Sequence, residues 1–95
     1  MANIAFTAHA LNKFSVLRKH KFIVSEDEVI KTVTEPESID SSRYPLLIAQ
    51  RQIDKKHVLR VVYKKEIFKS RLIGEREFIK IITFYPERLK QYEEK

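Results

Sequence analysis

The run Phe78-Ile79-Lys80-Ile81-Ile82-Thr83-Phe84-Tyr85, closed by Pro86, limits what this chain can fold into more than any other stretch. β-branched and aromatic residues suit a pleated, half-buried surface. Proline has no N–H to give to a ladder, so the pairing is expected to end there. A strand this apolar needs partners on its edges and a cover on at least one face. The rest of the chain must therefore supply strands that pair with it and helices that cover it.

His57 to Glu66 alternates, with Leu59, Val61 and Tyr63 on one face and Arg60, Val62 and Lys64 on the other, the pattern of a strand buried on one side. Leu46 to Ile53 reads as a second strand. The tight turn Asp54-Lys55-Lys56 predicts that the two pair as a hairpin. Asn3 to Phe6 reads as a short strand or an extended lead-in. Ile67 to Glu77 is charged, weakly periodic and holds the single glycine, Gly74. It reads as an extended hairpin arm or a mobile loop. Glu37 to Arg43 is polar and reads as a loop.

Two helices are expected. Thr7 suits an N-cap for Ala8 to His20, where Ala10, Leu11, Phe14 and Leu17 form an apolar stripe and His9, Lys13, Val16 and His20 face away. Ser25-Glu26-Asp27-Glu28 is a capping box opening a helix from Glu26 to about Thr34, stopped by Pro36. Pro86 at the first helical position predicts a short C-terminal helix through Tyr92. The expected order is (β)ααβββα. That is an α+β fold in which two N-terminal helices pack on one face of a three- to four-stranded antiparallel sheet and a short C-terminal helix follows. Residues 1–95 are expected to form a single domain, since no linker, repeat or low-complexity segment divides them.

Composition removes several chemistries. There is no cysteine, so neither disulfides nor a thiol nucleophile, which fits an intracellular protein. The first residues lack a basic and apolar leader, and no apolar run approaches the roughly 18 residues that cross a bilayer. A cytoplasmic location without membrane association is expected. One glycine leaves no phosphate-cradling loop, and no serine sits in a nucleophile elbow. The three histidines, His9, His20 and His57, have no metal-ligand spacing, so neither a metal nor a cofactor is expected. Nineteen Lys and Arg against 13 Asp and Glu give a net charge of +6, which draws anionic partners such as RNA, DNA or an acidic protein.

RNA cleavage without a metal needs a base for the 2′-OH, an acid for the leaving 5′-oxygen and cations at the scissile phosphate. The residue types occur in suggestive places: His9 and Lys13 one turn apart, Arg51 and Arg60 inside strands, and Thr83, Tyr85 and Arg88 where the last strand ends. Arg60 interrupts Val58-Leu59-Arg60-Val61-Val62. A charge there is costly to bury unless it is paired, so it marks a face open to solvent or ligand.

Taken together, His9-Ala10 with Lys13, Ile23 to Val29, Leu59-Arg60-Val61-Val62-Tyr63 and Ile82-Thr83-Phe84-Tyr85-Pro86-Glu87-Arg88 resemble a family of small bacterial and archaeal domains grouped with the BrnT and RelE/ParE toxins. The resemblance implies the barnase–EndoU–colicin–RelE fold. It also implies a toxin-like, metal-independent ribonuclease of the mRNA interferase type, held in check by an acidic antitoxin-like protein. On it, His9 is the general base or acid and Arg51 and Arg60 hold the phosphate. Thr83 and Tyr85 orient substrate or donate a proton, and Lys13 and Arg88 add positive charge. Lys13 stands where the family usually has arginine, keeping the charge but not the two-pronged contact. The alternative is a non-catalytic nucleic-acid- or protein-binding module on the same fold.

Overall fold

Strand pairing dominates the architecture. The structure, a computed structural model, describes residues 3–89. In chain order the elements are β1 (Asn3–Phe6), α1 (Ala8–Lys19), α2 (Glu26–Thr34), β2 (Ser38–Asp40), β3 (Leu47–Gln52), β4 (His57–Ser70) and β5 (Gly74–Arg88). They form one five-stranded sheet in the order β1-β5-β4-β3-β2.

The sequence-based fold class needs correcting on three points. The sheet has five strands and is mixed, because β1 lies parallel to β5 with Asn3 beside Phe78 and Phe6 beside Ile81. The polar segment expected as a loop contributes β2, whose Ile39 pairs with Ala49. Pro86 does not start a helix. Pro86 to Arg88 continue β5, opposite Leu59, Val58 and His57 of β4. The remainder of the predicted helix, through Tyr92, lies outside the described residues. Proline at this place is tolerable because the pairing of β1 with β5 ends at the Phe6–Ile81 pair, so beyond it that edge of β5 carries no ladder for its missing N–H to break.

One irregularity in the β4–β5 ladder orders the core. Val62 pairs with Thr83 but Tyr63 pairs with Ile81, leaving Ile82 as an extra residue in β5. Ile81 and Phe84 are three residues apart and would point to opposite faces of a regular strand. The bulge brings both to the same face, where each is fully buried. Thr7 is tied to this place. Its hydroxyl donates to the Ile82 carbonyl (3.0 Å) and accepts from the Ala10 N–H (3.0 Å), so the α1 cap and the bulge share one side chain.

The core lies between the sheet and the helices. Leu59, Val61, Tyr63, Ala49, Ile81 and Phe84 meet Ala10, Val24, Val29 and Val33. The Phe14 ring sits 4.6 Å from that of Phe84 and 5.9 Å from that of Phe6, clamping α1 over β5 and β1. Leu11, expected on the apolar stripe, is 52% exposed. α2 opens on the capping box, with both reciprocal bonds between Ser25 and Glu28 present. No helix of the described residues is long and apolar enough to cross a membrane.

Candidate functional site

The helices cover one face of the sheet, and strict alternation sends the neighbouring side chains to the other. Arg60 pairs in register with Gln50 on β3 and Tyr85 on β5. Arg60 sits between the core residues Leu59 and Val61, and its register partners share its face, so all three point away from the helices. There they bind one another: Arg60 Nη1 donates to Gln50 Oε1 (2.6 Å) and Nε donates to the Tyr85 hydroxyl oxygen (3.2 Å). Glu87 Oε2 lies 3.8 Å from Nε, a long and exposed ion pair worth little on its own.

A guanidinium carries five N–H donors. Two are taken, so among the described residues the other three have no side-chain or carbonyl acceptor. Arg60 borders a cleft of about 330 Å³ lined by Asp40, Arg43, Leu46, Ile48, Val62 and Tyr85. Asp40 belongs to β2 and Tyr85 to β5, so the two flank Arg60 across the sheet. The Ser42 side chain and backbone N–H beside Asp40 hold its carboxyl below the usual carboxylate range, and the Arg60 and Arg43 charges add to this. Asp40 is thus ionised at neutral pH. The cleft combines two guanidiniums, one carboxylate and one phenol over an apolar floor of Ile48 and Val62.

The site residues expected from sequence do not all converge. Arg60 and Tyr85 meet in this cleft, and Thr83, opposite Val62, lies on the same face. Arg51 lies on the other side of the sheet, in register with buried Leu59. Its Nη1 donates to the Glu35 carbonyl at the end of α2 (2.7 Å). Arg51 and Arg60 therefore do not hold one phosphate. His9 and Lys13 ride on α1, which packs on the face opposite Arg60. His9 is exposed there and does not line the cleft. Arg88 is exposed near the end of β5, two steps beyond Pro86 on the helix side of the strand. The residues that sequence reasoning passed over are Gln50, Asp40 and Arg43. Gln50 was detectable, since the Leu46 to Ile53 hairpin expected from sequence places it beside Arg60. Asp40 and Arg43 were hidden in the segment expected as a loop.

The two arginines differ in what their removal should do. Arg51→Ala loses a helix-end hydrogen bond, which costs about 1 kcal/mol or a melting shift of roughly 4–8 °C. Anion binding at the cleft should not change. Thermal denaturation and phosphate titration of the same variant check both halves.

No family model, no curated protein and no solved structure matches this chain.

Proposed function

We propose that this protein is a metal-independent, toxin-type ribonuclease that seats an RNA phosphodiester in the Arg60 cleft, standing beside the BrnT and RelE/ParE toxins. The observation that carries the reading is Arg60 itself. It is oriented by Gln50 and Tyr85, lines the cleft, and keeps three donors with no acceptor among the described residues. A guanidinium held in this way matches the paired oxygens of a phosphate without having to be ordered on binding. Arg43 in the same cleft adds charge for the phosphate as it becomes more negative in the transition state. The net charge of +6 brings RNA toward the protein over longer range.

The proton transfers fall to Tyr85 and Asp40. The phenol oxygen accepts from Arg60 Nε, which leaves its own hydrogen free for the departing 5′-oxygen. Asp40, the carboxylate that lines the cleft, accepts the 2′-OH proton; its lowered pKa makes it a weak base and keeps this step slow. The 2′-oxygen then attacks phosphorus, and the products carry a 2′,3′-cyclic phosphate and a 5′-hydroxyl. His9 has no part in these steps.

The position of His9 also favours a second reading, a non-catalytic RNA-binding module using the same cleft, because no imidazole stands beside the phosphate. Tyr85→Phe separates the two. It keeps the ring but removes the acid and one of the two bonds that orient Arg60, so cleavage of a single-stranded oligoribonucleotide should fall about 100-fold or more while binding weakens only about two- to tenfold. Gel analysis of product ends and fluorescence anisotropy read the two effects. If neither the parent nor the variant cleaves while both bind, the catalytic reading fails and the binding module stands.

A further inference from the structure

β4 and β5 run well past their neighbours. The pairing of β3 with β4 stops at Tyr63, and that of β1 with β5 begins at Phe78. Beyond these points the two strands continue as a ribbon through Ser70 and Gly74, about 20 Å of extended chain. This ribbon helps make the molecule 53 Å long against 29 and 22 Å in the other directions. A two-stranded ribbon alone is marginal in water. This one ends in exposed Ile67, Phe68, Leu72 and Ile73, with Leu72 95% accessible. Among the described residues its β4 edge from Lys64 to Ser70 has no strand partner, so it offers a row of open backbone donors and acceptors.

The charge on that edge is one-sided. Glu66 is engaged by Lys80 at 3.3 Å. Lys64, Lys65, Lys69 and Arg71 have no carboxylate within 4.0 Å among the described residues. Lys69 faces Glu75 in register across the ribbon without closing an ion pair. On the face that continues the core side of β4, the side chains run Lys65, Ile67, Lys69, a basic-apolar-basic spacing two residues apart.

We infer that the β4 edge of the arm is a docking site for an extended segment of another protein, one that adds as a sixth strand and presents an acidic-apolar-acidic pattern at every second residue. Strand addition satisfies the open backbone groups, and side chains on alternate positions set the choice of partner. An acid opposite Lys65, an apolar residue opposite Ile67 and an acid opposite Lys69 make each cross-strand pair favourable. A second copy of this chain fits poorly. Antiparallel pairing of two β4 edges about Ile67 puts Lys65 opposite Lys69, and the register one residue shorter puts Lys64 opposite Lys69. One residue longer sets Lys64 against Arg71 beyond the strand end, and its Glu66–Lys69 pair competes with the Lys80 bridge that already holds Glu66. Like charges directly opposite are destabilising. The docking edge and the Arg60 cleft are separate surfaces, so each can fail without the other.

The test uses the full chain labelled with ¹⁵N and an end-blocked probe peptide, Thr-Glu-Thr-Val-Thr-Glu-Thr. The expected result is slowed amide exchange and shift changes confined to residues 64–70 of β4 and their partners on β5, with the Arg60 region unmoved. The exposed double variant Lys65→Glu/Lys69→Glu should bind the probe about tenfold more weakly and bind the counterpart with lysines at the glutamate positions instead. No slowing at residues 64–70, or equal binding of both peptides by the parent, overturns the inference. In that case the lysines serve only to keep this edge from pairing. Sedimentation showing a dimer that Ile67→Lys dissociates also overturns it, assigning the edge to self-association.

Discussion

Arg60→Ala should weaken binding of a single-stranded oligouridylate by roughly 30-fold or more, about 2 kcal/mol, and reduce its cleavage below detection. The loss comes from two sources. The substitution removes the donors that face the phosphate, and it frees Gln50 and Tyr85 from the bonds that orient them. It should also lower the salt dependence of binding by about one phosphate contact. Arg60→Lys keeps the charge but not the fork, and should recover only part of the affinity. Because the Arg60 side chain lies on the sheet face away from the core, both variants should retain their circular dichroism. Affinity that is unchanged in Arg60→Ala, measured beside Arg51→Ala in the same salt, contradicts a phosphate site on this face.

Phe84→Ala should cost about 3–5 kcal/mol, a large share of the roughly 5–15 kcal/mol available to a domain of this size. Phe84 is fully buried, lies beside Val61 in the ladder and holds the Phe14 ring of α1 at 4.6 Å. Its removal leaves a cavity where the helix layer is fastened to the central strand pair. The same strand carries Tyr85 to the other face, so loosening Phe84 also loosens the cleft. Phe84→Leu keeps most of the volume and should cost clearly less. Urea denaturation of the three proteins gives the comparison. A cost below about 1 kcal/mol for Phe84→Ala is incompatible with the packing described here, given the usual range for buried phenylalanine.

Where periodicity is strong, local pattern and final structure agree. The β3–β4 hairpin, the capping box at Ser25 and the N-cap at Thr7 follow from residues close together in the chain. Among the expected site residues, Arg60 and Tyr85 come together because both interrupt apolar runs on adjacent strands. Arg51 also lies inside a strand, between Gln50 and Gln52, and it misled for that reason. An odd or even position in a strand decides the face, and the face depends on a register that only pairing sets. His9 misled differently: a polar helix face says that a residue is exposed, not which side of the sheet it is exposed on.

Local sequence alone therefore determined the two capped helices and the central hairpin, since each rests on contacts within a few residues, while the choice between arm and loop for residues 67–77 fell to the structure. Only the tertiary structure decided that β1 pairs parallel with the last strand and that Pro86 extends a strand instead of opening a helix. It also decided that the bulge at Ile82 turns Ile81 and Phe84 into one core, and that Arg60 and Arg51 stand on opposite faces. Each of these depends on partners tens of residues away. Their cost and gain appear only when the sheet closes, so no local propensity records them.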